Sequence, residues 1–199
     1  MSKVIAHITV SADGYSAGPN QSLADPLGER GEELHTWMFE HEEGSADAEA
    51  VKALADGYGA FVMGRNMFGS GRGAWDLEWT GWWGDNPPYH APVFVLTNHP
   101  RESVTMAGGT TFHFVTDGIE SALKQAHAAA GDMTVGVAGG AQTVQQYIRA
   151  GLLDELHLHI SPVVLGAGER LLDDIGTPAF AQIKSTSGMA THISYRVTY

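Results

Sequence analysis

Cysteine is missing from the 199 residues of this chain, and cationic side chains are few. Without cysteine, the chain has no disulfide, no thiol nucleophile and no cysteine-ligated metal. Lysine and arginine together number 11 against 23 aspartates and glutamates, so the formal net charge is −12. A surface of this charge disfavours non-specific binding to nucleic acid or to an anionic membrane.

Long apolar runs are missing as well. No stretch approaches the roughly 20 residues that a membrane span requires. Residues 1–7 show neither the apolar segment nor the cleavage site of a signal peptide, so the sequence predicts a soluble, cytoplasmic protein. A hydrophobic content of 43% with 17% charged residues is typical of a folded chain rather than a disordered one. The length predicts a single domain over residues 1–199.

Short apolar segments alternate with segments of helical spacing along most of the chain. The predicted strands are 4–10, 60–63, 92–97, 110–116, 134–138 and 155–164. The predicted helices are 32–40, 47–55, 119–130 (with Asp117 as its N-cap) and 141–150. This alternation predicts an α/β/α architecture of three layers around a mostly parallel sheet. Two last strand-like runs, 179–185 and 191–199, predict a C-terminal antiparallel hairpin.

A pair of glycines joins the predicted strand 134–138 to the predicted helix 141–150. Paired glycines let the backbone approach a ligand closely, and the first turn of a helix offers N–H groups with a partial positive charge. This combination suits a pyrophosphate, although a glycine pair also serves simple close packing. The spacing is not that of the three-glycine Rossmann fingerprint. The candidate residues of this turn are Val137, Gly139, Gly140, Ala141, Gln142 and Thr143.

A second turn of this kind follows the predicted strand 60–63. Its arginine is either an ordinary surface residue or a cation that meets a phosphate, such as the 2′-phosphate of NADP(H). The end of the next predicted strand is expected to border the ribose or adenine, because ligands of open α/β sheets collect at the carboxyl ends of strands. The candidate residues are Gly64, Arg65, Asn66, Met67, Thr97 and Asn98. Two such turns in one small chain predict a bound dinucleotide.

Aromatic residues crowd into the irregular segment 71–92, which contains Trp75, Trp79, Trp82, Trp83, Tyr89 and His90. Such a cluster either lines a pocket for a flat substrate or docks against a second subunit, and we favour a mixture of the two with the subunit interface slightly ahead. His157 and His159 lie two residues apart on a predicted strand, so they share one face. A His-x-His pair can bind a metal, but no third ligand stands out, so we assign no metal site.

The order of these elements resembles the dihydrofolate-reductase-like fold. More closely, the chain is similar to stand-alone relatives of the C-terminal reductase domain of the bacterial riboflavin deaminase-reductase (RibD). The residues that carry this resemblance are 9–15, 62–68, 93–97, 137–141, 151–156 and 161–168. Each segment alone is a weak signal, whereas the ordered set spans most of the chain and is specific.

The resemblance implies NADPH as cofactor and hydride transfer to a flat heterocycle such as a pterin or a ribosylamino-pyrimidine. It implies that the Gly139–Gly140 turn holds the pyrophosphate and that Arg65 approaches the nucleotide phosphates. It also implies that Thr97 lies near the adenosine. Trp37 and His159 are expected on the substrate side.

Two features depart from the patterns of these families. The position where dihydrofolate reductases carry an acidic residue in the first helix falls at Leu34, if Trp37 corresponds to the tryptophan of that helix. The His-x-Glu and Pro-Cys-x-x-Cys signature of the deaminase half is missing too. Asp13 is the best remaining acid: it either orients substrate and moves a proton, or it only forms a turn.

We therefore predict an NADPH-dependent reductase of a small planar heterocycle, or of a related imine or carbonyl compound. We also expect it to form a homodimer. The alternative is a non-catalytic homodimeric nucleotide-binding protein that kept the fold without turnover.

Overall fold

A nine-stranded sheet forms the centre of the computed structural model, which describes residues 2–69 and 73–199. The strands are β1 (Val4–Ser11), β2 (Tyr15–Ala17), β3 (Tyr58–Gly64), β4 (Pro92–Leu96), β5 (Val104–Thr105), β6 (Thr111–Val115), β7 (Thr134–Gly139), β8 (Glu155–Ser161), β9 (Glu169–Arg170), β10 (Ala179–Ser187) and β11 (Thr191–Thr198). Their order in the sheet is β10-β11-β8-β1-β7-β3-β4-β6-β5, and β2 pairs separately with β9.

The central six strands, β8 to β6 in that order, run parallel to one another. The C-terminal strands β10 and β11 form an antiparallel hairpin, and β11 pairs antiparallel with β8. The predicted α/β fold, a mostly parallel sheet that ends in a C-terminal hairpin, is therefore confirmed. The small β2–β9 sheet was not predicted, because strands of two or three residues carry too little periodicity to be recognised.

The helices are α1 (Thr36–Phe39), α2 (Ala46–Ala53), α3 (Arg65–Phe68), α4 (Ile119–Ala130) and α5 (Ala141–Arg149), with 3-10 turns at Gly31–His35 and Ala107–Gly109. The predicted helix 32–40 is in fact a 3-10 turn followed by the single turn of α1. The predicted N-cap of α4 is also wrong. Gly118 occupies that position with φ 88°, and the Asp117 carboxylate instead accepts a hydrogen bond from Thr116.

One face of the sheet packs against α4 and α5 through alternate residues of the parallel strands. In β1 these are Val4, Ala6, Ile8 and Val10, which are buried with the small and aliphatic residues of the two helices. The period of two along the strand sends the intervening residues to the opposite face. The residues Ile5, His7, Thr9 and Ser11 therefore belong to that opposite face.

The opposite face carries two different covers. The 3-10 turn Gly31–His35 contacts β1, and helix α2 contacts β10 and β11, with α1 between the turn and α2. Leu34 of the turn and Trp37 of α1 are fully buried in this cover. Over β3, β4 and β6 lies the irregular segment that follows α3. Its rings pack on Phe61, Phe68 and Phe112 of the same chain.

Contacts within the chain give the aromatic segment 71–92 a role besides the two alternatives, because it covers part of the sheet. Residues 71 and 72 lie outside the described residues. From residue 73 onward, Trp75, Trp79, Trp83 and Tyr89 are half-buried against the sheet. They shield this part of the sheet as a packed helix would. Trp82 packs edge-to-face on Trp79, and His90 hydrogen-bonds to the Gly108 carbonyl. No helix among the described residues is long and apolar enough to cross a bilayer.

Candidate functional site

The two glycine turns meet at one edge of the sheet. Strands β3 and β7 are parallel neighbours, and Met63 pairs with Gly139, so both strands end at the same level. A Cβ atom added to Gly64 would collide with the Thr143 hydroxyl in the first turn of α5. A Cβ atom on Gly139 would lie 3.3 Å from the Met67 sulfur. The structure thus brings Gly64 and Met67 of one predicted turn into a single contact region with Gly139 and Thr143 of the other.

The Gly139–Gly140 turn keeps its backbone open above helix α5. Gly139 has a φ of 124°, which favours glycine strongly, and the peptide bond to Gly140 is cis. No heavy atom of the described residues lies within 4 Å of a Cβ atom placed on Gly140. No side chain caps the nine-residue helix α5 within this part of the structure. The first-turn N–H groups of Ala141 and Gln142 are therefore not taken up by a side-chain cap, as an anion-binding helix start requires.

Arg65 sits at the same edge and is held by an aromatic side chain. Its guanidinium lies 3.7 Å from the ring centre of Trp75, and its Nη1 donates to the Thr97 hydroxyl at 3.4 Å. The indole N–H of Trp75 in turn donates to the His99 carbonyl at 2.8 Å. Burial lowers the pKa of Arg65 below its ordinary value. Arg65 and Thr97 are thus brought together as predicted, whereas Asn98 is exposed beside them.

Sequence reasoning missed the part that Trp75 plays at this edge. It placed Trp75 with the other aromatic residues of its segment, because no local pattern connects a loop tryptophan to an arginine ten residues earlier. It also missed the loop after β2. A polar groove of about 400 Å³ lies between that loop and the predicted residues Asn66 and Gln142. The remaining lining residues are Gly18, Pro19, Asn20, Gln21, Pro26, Gly168 and Glu169.

Asp13 lies in the turn between β1 and β2, and its carboxylate binds backbone N–H groups of another loop. Its carboxylate accepts hydrogen bonds from the backbone N–H groups of Leu165, at 3.1 Å, and Gly166, at 2.7 Å. A hydrogen bond from the Ser11 side chain and these two N–H groups lower the pKa of Asp13 from 3.8 to about 2. Such a carboxyl is ionised at neutral pH and cannot donate a proton. The contacts favour the turn-forming alternative, in which Asp13 ties two loops together.

The two predicted substrate residues pack against each other in the interior. Trp37 is 2% exposed and His159 is 4% exposed, and their ring centres are 4.8 Å apart. The Trp37 indole N–H and the His35 Nδ1 have no hydrogen-bond partner among residues 2–69 and 73–199. A buried polar atom without a partner is uncommon in native proteins.

A row of polar side chains crosses the same sheet face, and sequence reasoning found only one of its members. We call this set, which consists of Tyr58, His7, His159, His192 and Asp47, the histidine row. Each member lies within hydrogen-bond distance of the next. The signal was present in part, because His7 and His159 alternate toward one face of their strands, but strand neighbours cannot be read from one sequence. Among the described residues, no group of three or more His, Asp or Glu side chains is arranged to hold a metal ion.

Comparison with known proteins decides the family. The family model of the RibD C-terminal domain matches residues 2–194. The chain belongs to the RibD C-terminal domain family. No curated protein matches the sequence.

Solved structures show the same fold in proteins of low sequence identity. A Shewanella sp. PV-4 protein named for riboflavin biosynthesis superimposes with a TM-score of 0.70 at 23% identity, over 99% of each chain. Dihydrofolate reductase from Enterococcus faecalis, in a complex with NADP(H) and RAB-propyl, gives a TM-score of 0.61 at 15% identity, over 99% of this chain and 97% of that one. The RibD C-terminal domain protein described here therefore has a dihydrofolate-reductase-like fold.

A third solved structure is longer than this chain. The Thermotoga maritima diaminohydroxyphosphoribosylaminopyrimidine deaminase/5-amino-6-(5-phosphoribosylamino)uracil reductase gives a TM-score of 0.60 at 15% identity. The match covers 99% of this chain but only 57% of that protein. The RibD C-terminal domain protein thus corresponds to a part of that two-activity enzyme.

Proposed function

We propose that this RibD C-terminal domain protein is an NADPH-dependent reductase that transfers a hydride to a small planar heterocycle of pyrimidine or pterin type. The observation that carries the proposal is the meeting of the Gly64–Arg65 and Gly139–Gly140 turns at one sheet edge. NADPH carries a pyrophosphate and a 2′-phosphate. Two glycine turns and one arginine at a single sheet edge suit both groups.

The residues at this edge fit NADPH. Gly139, Gly140 and the first N–H groups of α5 would hold the pyrophosphate, because there the backbone is open and the helix start is uncapped. Arg65 would meet the 2′-phosphate by a charge-assisted hydrogen bond, with Trp75 fixing its direction. Thr97 and Asn98 would border the adenosine. Asn66 and Gln142 would line the approach through the polar groove.

Bound NADPH supplies the hydride, and the chain's own residues bind, orient and exclude water. We place the substrate on the sheet face that carries Trp37 and His159. An open groove on this face supports the placement, because it is lined by His7, which lies within hydrogen-bond distance of His159. We assign no proton-donor role to Asp13, because its carboxylate is held ionised by backbone donors.

Titration of the tryptophan fluorescence with NADPH and NADH tests the cofactor assignment. NADPH is expected to bind at least ten times more tightly than NADH, because only NADPH offers a phosphate to Arg65. The R65A variant should lose most of this preference and retain its NADH affinity. R149A is the matched control, because Arg149 lies at the other end of α5 and donates to the Asp174 carbonyl. Failure of both nucleotides to bind the wild-type chain would overturn the proposal.

Turnover is tested separately by NADPH oxidation with 5-amino-6-(5-phosphoribosylamino)uracil, 7,8-dihydrofolate and simple cyclic imines as probes. The alternative function, a homodimeric nucleotide-binding protein without turnover, is favoured by one observation. The position of the missing acid, Leu34, is fully buried and apolar. NADPH binding without oxidation of any probe would support that alternative. The homodimeric state, to be measured by sedimentation velocity, and a cytoplasmic location are parts of both proposals.

A further inference from the structure

The histidine row is continuous from one end to the other. The Tyr58 hydroxyl lies 2.8 Å from Nε2 of His7, and Nδ1 of His7 lies 3.2 Å from Nε2 of His159. Nδ1 of His159 lies 2.8 Å from Nδ1 of His192, and Nε2 of His192 lies 3.0 Å from Oδ1 of Asp47. The row therefore connects strand β3 to helix α2 through β1, β8 and β11.

A glycine makes this path possible. Strand β7 lies between β3 and β1, and its residue Gly136 pairs with Phe61 on one side and Ile5 on the other. A Cβ atom on Gly136 would press on the Phe61 ring and lie 3.1 Å from the Tyr58 ring. Because Gly136 has no side chain, Tyr58 reaches across β7 to His7.

The Asp47 end fixes the position of every proton in the row. Asp47 accepts from the backbone N–H groups of Met189 and Ala190, and its ionised carboxylate can only accept. His192 must then carry its proton on Nε2 and accept on Nδ1. It follows that His159 and His7 each carry theirs on Nδ1, and that Tyr58 donates to His7. All four hydrogen bonds point toward Asp47, with all three imidazoles neutral.

One additional proton at His7 reverses the direction of the hydrogen bonds between the three histidines together. If Nε2 of His7 gains a proton, its Nδ1 proton passes to Nε2 of His159, and the Nδ1 proton of His159 passes to Nδ1 of His192. The charge then rests on His192 beside the Asp47 carboxylate, the only acid in the row. The reverse sequence releases one proton at Nε2 of His7 and Tyr58 and restores the neutral row.

The surroundings fit this pair of states. Burial, with His157 and His159 nearby, lowers the pKa of His7 well below its usual value, and burial beside His192 lowers the pKa of His159 to about 3. Burial would raise the pKa of Asp47, but hydrogen bonds from Met189, Ala190 and His192 lower it. The negative charge of the row therefore lies at the Asp47 end. The other titratable groups around the row are His35, Glu155 with its partners Lys3 and His157, and Glu49, Lys52 and Asp56.

The Tyr58 end opens into a groove of about 370 Å³. His7, Tyr58 and His157 form its aromatic side. The rest of the wall consists of Ile5, Ala53 and Thr134 together with the charged residues Glu49, Lys52 and Asp56. His7 is also near the cofactor edge. Since Ala6 pairs with Val137, the next residue His7 is level with Ala138 on neighbouring β7, one residue or roughly 3 Å along the strand below Gly139.

We infer that the histidine row is a one-proton relay, with Tyr58 and His7 as its outlet to a ligand in this groove and the His192–Asp47 pair as its store. The relay rests on the proposed function, because reduction by hydride requires one proton and neither Leu34 nor Asp13 can supply it. In the loaded row, Tyr58 gives its proton to the substrate and regains one from Nε2 of His7. The row returns to its neutral state, so protons balance.

Proton positions in the full chain test the relay without any turnover. Long-range ¹H–¹⁵N correlation spectra at pH 7 to 8 should show His7 and His159 protonated on Nδ1 and His192 on Nε2. During acidification, His7 and His159 should switch to the Nε2 tautomer at the pH where His192 gains its second proton. An Nε2 proton on His7 at neutral pH, or separate midpoints for the three residues, would overturn the relay even if NADPH binds.

The H159Q variant separates proton transfer from structural support. A glutamine amide can accept from His7 and donate to His192, but it cannot take up a proton and pass it on. In this variant His7 should keep its Nδ1 proton while His192 titrates. With any probe that the wild type reduces, kcat should fall at least tenfold, with a larger solvent deuterium effect and an unchanged Kd for NADPH. H113Q is the control, since His113 stacks on Phe94 away from the row.

A wild-type kcat in H159Q would refute the relay, whereas an inactive wild type with the expected tautomers would count against the proposed function alone. If H159Q does not fold, Y58F gives the same test at the other end. It removes the outlet hydroxyl but keeps the ring. The tautomers of His159 and His192 should then be retained while kcat falls.

Discussion

Gly64 and Thr143 pack so closely that a single added carbon on Gly64 would overlap the Thr143 hydroxyl. They belong to different strand–helix turns, and each turn alone resembles many ordinary ones. Their contact fixes the distance between the two openings that we assign to the cofactor. The packing between the turns is therefore part of the binding site.

Alanine at position 64 should disturb this contact without straining the backbone, because the φ of Gly64 is −76°. The variant G64A should lose about 1–3 kcal/mol of unfolding free energy through overpacking and bind NADPH at least tenfold more weakly. Urea unfolding and fluorescence titration measure both. The double variant G64A/T143A removes the hydroxyl and should recover much of the stability. A G64A chain that behaves like the wild type would show that the turns are not in contact.

Trp75 should act on NADPH through Arg65. The cation–π contact at 3.7 Å is of a type worth about 0.5–2 kcal/mol, so W75L should weaken NADPH binding by roughly two- to thirtyfold. NADH binding should change little. The comparison variant is W82L, because the Trp82 ring packs edge-to-face on Trp79, whereas the cation–π contact of Arg65 is with Trp75. Equal losses for NADPH and NADH would contradict the assignment.

Asp13 should appear in the acid stability of the protein rather than in its neutral pH profile. Its pKa is lower in the folded chain, about 2, than its ordinary value of 3.8. The stabilising contribution of the ionised carboxylate is therefore full above the ordinary value and is lost as the pH falls from 3.8 toward 2. Thermal unfolding of the wild type should weaken across this window, and D13N should lack that part of the dependence. If thermal unfolding of D13N depends on pH below 3.8 as the wild type does, Asp13 does not contribute this acid-dependent stability.

Replacement of Asp47 should lower the free energy of unfolding more than replacement of other residues on helix α2. D47A leaves two backbone N–H groups and His192 without their acceptor in a site where Asp47 is 2% exposed. Each buried group left unsatisfied costs about 1–3 kcal/mol, so D47A should lose about 3 kcal/mol or more. E49A, on the same helix with an exposed Lys184 pair, should lose less than about 1 kcal/mol. Similar losses in urea unfolding would count against a buried role for Asp47.

Much of the fold was readable from local pattern. Alternating apolar residues identify β1 and β8, short apolar runs identify β4 and β7, and helical spacing identifies α4 and α5, because these signals come from neighbouring residues. The paired glycines of β7 were recognisable for the same reason. The N-cap of α4 was not predicted correctly, since a glycine with positive φ replaced the expected Asp117 side chain.

The sequence by itself determined the order of the elements, the two glycine turns and the scarcity of cations that makes Arg65 stand out. Tertiary structure alone decided that these turns touch, that Trp75 holds Arg65, and that the other tryptophans cover the sheet. It also decided that His7, His159 and His192 form one row. The reason is that strand order and register set which distant side chains become neighbours, and a single sequence without an alignment carries no local record of that pairing.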